Sequence, residues 1–384
     1  MNESNRLHVV DALRGFAIVS IMLLHNIEHF DFYYQAENLP QWMPAVDKVI
    51  WDTSFFLFGG KSYAIFALLF GLTFFIQSDN QEKKNKDFRG RFAWRLLLLL
   101  GFGLFNSLFY EGDILSIYAV LGFALIPVAR LNTKTVFWIA TLLMLQPVEW
   151  IKVISGLADP AKEMANPASW AYFGKAGAYI TGDSLWATLW GNITNGKTAV
   201  VLWTWEAGRV FQTISLFLFG MLAGRKLLFI RGVAQTKFWQ KALLIAGLAF
   251  IPLFIVKTNI PDWISSVAIN RPLGLIITSW SNMAFMMVLV SGFTLLFHSR
   301  AFNKTLSVFS AYGRMSLSNY VMQSILGAFI YYGFGLGLYQ YTGATYCLLI
   351  GLVLAIIQGV FSKQWMKRHR QGPLETIWHK LTWL

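Results

Sequence analysis

The chain has 384 residues, 56% hydrophobic and only 13% charged, with 33 Phe and 16 Trp. Soluble domains average about 25% charged residues, so the composition excludes a string of soluble domains and describes an all-α, polytopic membrane protein. The net charge of +13 does not imply nucleic acid, because the basic residues sit in short segments between apolar spans, as membrane topology requires.

The spacing of apolar stretches predicts about ten transmembrane helices, at roughly 7–27, 54–76, 92–109, 113–129, 135–155, 207–224, 239–256, 273–297, 312–333 and 343–361. Asp11 and Arg14 interrupt the first apolar stretch, which therefore reads as a span and not as a cleavable signal. Lys and Arg number 22 in the segments before 7 and at 77–95, 130–134, 225–241, 298–314 and 362–384. The alternate segments, 28–53, 110–112, 156–206, 257–272 and 334–342, hold 6. The positive-inside rule then places both termini in the cytoplasm. The outward segments are acidic, with Glu28, Asp31, Glu37, Asp47, Asp52 and Glu111.

Four regions follow. Residues 1–155 form an N-terminal membrane half and 156–206 an extracytoplasmic interfacial segment rich in Trp, Gly and Pro. Residues 207–361 form a C-terminal membrane half, and 362–384 a basic, aromatic cytoplasmic tail suited to a lipid surface. Leu-Phe-Gly recurs at 57–59, 69–71 and 218–220, and small residues that let helices approach account for it. Cys347, the single cysteine, lies in a late apolar span and allows no disulfide framework.

The first span is the one that points to chemistry. At 100° per residue, Asp11, Arg14, His25 and His29 fall within about 60° of one another, with Gly15, Ile18 and Met22 in the same sector. Ionisable groups in a membrane usually face a bundle interior or a watery cavity, since each costs about 2.5–3.5 kcal/mol on insertion scales. Arg14 suits a phosphate or carboxylate, and His25 suits proton transfer near neutral pH. The plainer alternative is an Arg14–Asp11 pair three residues apart, with His25 capping the helix end.

His25-Asn26-Ile27-Glu28-His29 also matches the short H-x-x-E-H zinc pattern, which would need a third ligand such as Glu111 or Asp113. Glu111 and Asp113 stand at a tight outer turn. Asp113 is a candidate to orient His25, or simply an N-cap. Lys61 lies near the outer end of the second span and would ordinarily snorkel. Glu206 and Arg209 open the sixth span and could pair. Asn319 and Gln323 share a face of the ninth, where amides either bond helix to helix or line a polar path.

Several stretches taken together resemble the YeiB-like family of bacterial integral membrane proteins. They are DALRGFAIVSIMLLHNI (11–27), GKSYAIFALLFGLTF (60–74), GDILSIYAVLGFALIP (112–127), FLFGMLAGR (217–225), GRMSLSNYVMQS (313–324), YYGFGLGLY (331–339) and GPLETIWHKLT (372–382). That family is similar to a wider group of transmembrane acyltransferases that includes heparan-alpha-glucosaminide N-acetyltransferase. The resemblance implies a multi-pass protein of the bacterial cytoplasmic membrane that moves an acetyl or similar group. The donor would be cytoplasmic acyl-CoA and the acceptor an extracytoplasmic glycan or lipid-linked sugar. In the glycan acyltransferases a basic residue, ten residues and a catalytic His recur in the first helix, and Arg14 and His25 match.

The leading expectation makes His25 the general base, with Asp113 orienting it. Arg14, Asp11 and Gly15 would bind the donor, whose thin arm would pass beside Gly15. His29, Glu28, Lys61, Glu111, Arg209, Asn319 and Gln323 would line the cavity, with no metal and no permanently bound cofactor. Membrane lipids, acyl-CoA and the acceptor would be its partners, and nucleic acid would not. The rivals are a transporter of a small anionic or amphipathic solute, and a metal-dependent membrane hydrolase using His25, Glu28 and His29. No oligomeric state follows from the sequence.

Overall fold

A computed structural model describes residues 7–36 and 39–384; Arg6 and Glu37, which entered the charge reading, lie outside them. Every regular element among the described residues is helical. The N-terminal half holds α1 (His8–Ile27), α2 (Met43–Phe58), α3 (Ser62–Glu82), α4 (Arg89–Phe109), the short α5 (Leu115–Gly122) and α6 (Leu125–Val128), α7 (Thr133–Met144) and α8 (Pro147–Ala158). Next come α9 (Ala168–Phe173), α10 (Gly177–Ile180), α11 (Leu185–Gly191) and α12 (Lys197–Glu206), with one π turn at Asn192–Gly196. The remainder is α13 (Arg209–Arg225), α14 (Val233–Trp263), α15 (Val267–His298), α16 (Asn303–Leu306), α17 (Phe309–Arg314), α18 (Ser316–Tyr331), α19 (Ala344–Arg368) and α20 (Pro373–Trp383).

Among the described residues, six segments are long and apolar enough to cross a membrane: α1, α2–α3 together, α4, α14, α15 and α19. Two bent pairs, α7–α8 (41°) and the α11–α12 stretch with α13 (73°), raise the count to eight. Of the ten expected spans, 113–129 and 312–333 are broken into shorter helices. Pro127 has no N–H for the carbonyl of Phe123, and the chain tightens there, with Ile126 N–H donating to Phe123 (3.1 Å). In the second case Met315 interrupts α17 from α18. The bends also have local causes. Gln146 is left-handed (φ 58°) directly before Pro147, and Gly208 is left-handed (φ 66°) directly before Arg209. The two breaks are tied together, since Gln146 Nε2 donates to Gly208 O (3.0 Å) and to Ser279 Oγ (3.1 Å).

Packing fixes the relative directions of the central helices. α1 runs antiparallel to α3: Arg14 Nη2 donates to Thr73 Oγ1 (2.9 Å) and Ser62 Oγ to Ser20 Oγ (2.9 Å). α3 and α13 run parallel, with Tyr63 bonded to Gln212 near their starts. Further along, Gly71 lies against the Phe217 backbone and Gly220 against that of Leu68. These are two of the three Leu-Phe-Gly glycines, and close approach is what they provide. The largest apolar core lies among α1, α3, α13 and α15. α20 docks on α4, where Arg91 Nη1 donates to Thr382 O (2.6 Å), and on α18, whose first N–H groups donate to Glu375. The tail expected from residue 362 therefore begins inside α19 and ends as a docked helix.

Candidate functional site

The His25 end of α1 carries a cluster of titratable side chains: His25, Glu28 and Asp31. Immediately after the helix, His29, Phe30 and Asp31 adopt φ of 48°, 57° and 65°, a left-handed region that residues with side chains rarely occupy. Neighbours hold the turn in place. His29 Nε2 lies 2.9 Å from Thr342 O and 3.0 Å from Thr342 Oγ1, and Tyr332 OH donates to Phe30 O (2.9 Å). The Phe30 ring is fully buried against Tyr110 and Tyr331.

This turn brings Asp31 back beside His25. One ligand atom from each of His25, Glu28 and Asp31 lies within 4.8 Å of the other two. His25 Nδ1 is 2.9 Å from the Tyr110 hydroxyl and 3.6 Å from Glu28 Oε2. Tyr33 OH donates to Glu28 Oε1 (2.9 Å). The Tyr110 hydroxyl also bonds Asp31, whose carboxyl is pushed up by burial and by the charge of Glu28, and drawn down by His25 and by Tyr110. His25 Nε2 has no hydrogen-bond partner among the described residues, and the His25 side chain is 17% exposed. With Nδ1 held by a hydroxyl and a carboxylate, the ring presents Nε2 outward, the arrangement a general base needs.

Glu111 and Asp113 stand behind this cluster, both fully buried. Glu111 Oε2 accepts from Tyr179 OH (2.9 Å), while Oε1 has no partner among the described residues. Burial first, and the charge of Asp31 second, push the Glu111 carboxyl up to about 7, against the pull of the Tyr179 hydroxyl. Asp113 does not meet the expectation that it orients His25. Its carboxylate accepts from Asn106 Nδ2 (3.0 Å) and from the backbone N–H groups of Leu115 (3.2 Å) and Ser116 (2.9 Å) at the start of α5. Lys197 Nζ lies 3.5 Å from it. Asp113 is thus a cap and an ion-pair partner. The interfacial segment meets this corner through Tyr179 and Lys197, and through Asn192 Nδ2, which donates to Leu108 O (2.9 Å).

The remaining candidates divide. His29 faces Thr342 and not His25, so the H-x-x-E-H pattern does not assemble, and Asp31 takes the place that His29 would have had. At the other end of α1, Arg14 sits 3.5 Å from Asp11 as well as bonding Thr73. Gly15 packs against the Phe309 carbonyl and Gly313 of α17, so backbone fills the space expected for a donor arm. Glu206 does not pair with Arg209; it accepts from Ala168 N (2.8 Å) and Ser169 Oγ (2.6 Å). Lys61 does not snorkel but is buried, its Nζ donating to Phe55 O (3.3 Å). Asn319 bonds Ser362 (3.0 Å) across to α19. Gln323, on the same face, has both amide atoms buried without a partner among the described residues, as has Gln358.

Sequence reasoning missed Tyr110 as a site residue and treated Asp31 only as an outward acid. Nothing in His-Phe-Asp signals a left-handed turn, and that turn is what carries Asp31 to His25.

Fold and cluster together define a multi-pass helical membrane protein with a polar site at one end of its first helix. Residues 223–384 match the family model described as protein of unknown function (DUF418). Over its whole length the chain is similar to the uncharacterized protein YxaH of Bacillus subtilis, at 29% identity across 99% of this chain and 95% of the relative. It is likewise similar to the uncharacterized protein YeiB of Escherichia coli, at 26% identity across 97% of this chain and 95% of the relative. The resemblance to the YeiB-like family is thereby supported. No solved structure matches the chain.

Proposed function

We propose that the protein is a membrane acyltransferase in which His25 Nε2 is the general base. The observation that carries this reading is the grip on the opposite ring nitrogen: Tyr110 at 2.9 Å and Glu28 at 3.6 Å from Nδ1. Glu28, not Asp113, then orients the ring and stabilises its protonated form. Nε2 takes the proton from an acceptor hydroxyl or amine as that atom attacks the thioester carbonyl of an acyl-CoA. The C–S bond breaks, and the departing thiolate takes the proton back from the imidazolium.

The same proposal includes ten membrane passes, with the broken 113–129 and 312–333 stretches counted, and cytoplasmic termini in a bacterial inner membrane. The 22-to-6 division of basic residues supports that orientation. His25 would then face outward toward a glycan or lipid-linked sugar, and Arg14 would lie near the donor side.

The test is release of free CoA thiol from acetyl-CoA by protein in proteoliposomes supplied with a membrane glycolipid extract. His25→Ala should abolish turnover and leave acetyl-CoA binding intact. Turnover at the wild-type rate in His25→Ala would refute the assignment.

One observation favours a second reading, a metal-dependent hydrolase: His25, Glu28 and Asp31 offer three ligand atoms within 4.8 Å of one another. Stoichiometric zinc in purified protein, lost in Asp31→Asn but retained in His29→Ala, would move the assignment there.

A further inference from the structure

Lys61, Arg209 and Lys257 form a second charged constellation, independent of the acyl-transfer reading. Lys61 is the residue that caps the start of α3, and Arg209 is the first residue of α13. These helices run parallel and begin side by side, tied by the Tyr63–Gln212 bond. Because α1 is antiparallel to α3, this is also the His25 end of the molecule. Lys257 lies on α14 one turn past Phe254, whose ring packs at 5.4 Å on Phe56, and Lys61 Nζ stands 5.9 Å from that same Phe56 ring.

Among the described residues, no carboxylate oxygen lies within the 4.0 Å of an ion pair from any of the three. What they have is weaker. Lys61 Nζ donates to the Phe55 carbonyl and stands 5.6 Å from the Phe285 ring centre. Arg209 lies over the Tyr63 ring (4.5 Å) and the Trp203 ring (5.1 Å). It uses Nη1 on Gln212 Oε1 (3.2 Å), an acceptor already taken by the Tyr63 hydroxyl. The other guanidinium donors have no partner in the described structure.

Each helix start adds roughly half a positive charge to this place. Ring contacts offset only a small part of the cost of taking an unpaired charge out of water. Lys61, 5% exposed, does not recover its hydration by reaching out. A counter-ion from outside the chain closes that gap.

We propose that Lys61 and Arg209, at the paired starts of α3 and α13, together with Lys257 of α14, bind an oxyanion, a phosphate or carboxylate carried by a lipid headgroup or free in solution. Backbone N–H groups of a helix start and an Arg fork are complementary to such a group.

The experiment uses delipidated full-length protein. Phosphatidylglycerol binding is read by native mass spectrometry against phosphatidylcholine, and inorganic phosphate is titrated as competitor. Wild-type protein should retain phosphatidylglycerol selectively. Arg209→Gln and Lys61→Met should each weaken retention by about tenfold or more. Arg209→Lys should recover part of the loss, and Lys48→Gln, an exposed partner of Asp52, should change nothing. Displacement by phosphate would identify a shared oxyanion site, and selective retention that phosphate cannot compete would identify the headgroup. Saturable phosphate binding without lipid preference would identify a free anion. Should Arg209→Gln fail to fold, Lys257→Gln on the half-buried lysine gives the same reading. The proposal is overturned if wild-type protein binds neither probe saturably, or if the folded variants bind as it does.

Discussion

Replacing Glu111 with Gln should make the protein more stable at pH 8 and remove part of its dependence on pH. Glu111 is fully buried, with one carboxylate oxygen on Tyr179 and the other unpartnered. Its folded pKa is raised from 4.5 to about 7. A carboxyl that holds its proton more tightly when folded contributes stability in full below its unfolded pKa. That contribution is lost as pH rises toward and through the folded pKa. The window is therefore about pH 4.5 to 7, with stability falling as pH rises. The shift corresponds to about 3 kcal/mol at most. The neutral amide introduced by Glu111→Gln would mimic the protonated acid, so the variant should match wild type near pH 4.5 and exceed it at pH 8. Thermal unfolding in detergent, followed by tryptophan fluorescence across this range, measures the difference. A variant whose melting temperature runs parallel to that of wild type from about pH 4.5 to 8 would refute the reasoning.

Other substitutions test other parts of the structure. Tyr110→Phe should lower the CoA-release rate by about tenfold or more while leaving folding intact, because it removes the hydroxyl shared by His25 and Asp31; unchanged turnover would remove Tyr110 from the site. Gly15→Leu should cost about 1–3 kcal/mol or more, since its side chain would meet the Phe309 carbonyl. Loss of the monodisperse peak on size exclusion would register this, and a normally stable variant would restore the gap proposed for a donor arm. With Cys347 buried, cysteines at the exposed positions Lys86 and Asp183 should react with an impermeant maleimide from opposite faces of oriented vesicles. Labelling of both from one face would reverse the proposed topology.

The parts of the fold legible in sequence are those set by composition and spacing. Apolar length marks the six long spans, and the polar stripe on α1 marks the helix that carries the cluster. Glycine at Gly71 and Gly220 signals close helix packing. What stays hidden depends on tertiary neighbours. Pro127 and Met315 break stretches whose hydropathy alone looks continuous. Asp113 and Glu206 invite pairing with His25 and Arg209, but each instead satisfies backbone N–H groups at a helix start. Orphan donors there lie closer and in better line than a distant imidazole or guanidinium. His29 shares the sequence spacing of a metal ligand, yet the chain leaves the helix before it and turns the ring toward Thr342.

That departure links strain to the site. Three successive left-handed residues cost on the order of 1–3 kcal/mol each, so the turn persists only because its surroundings over-determine it. His29 is fixed by Thr342, the Phe30 carbonyl by Tyr332, and the Phe30 ring by Tyr110 and Tyr331. Asp31 is the one member held through the site itself, by Tyr110. Had α1 continued for one more turn, Glu28 would still sit beside His25, three residues on and about 60° round the helix. Asp31, six residues on, would lie about 9 Å further along the axis and about 120° round from His25, too far for its carboxylate to share the Tyr110 hydroxyl with the imidazole. The reversal of the backbone, and not helical spacing, therefore brings the second carboxylate to His25. Relaxing it would take Asp31 off the Tyr110 hydroxyl and leave His25 with Tyr110 and Glu28 alone.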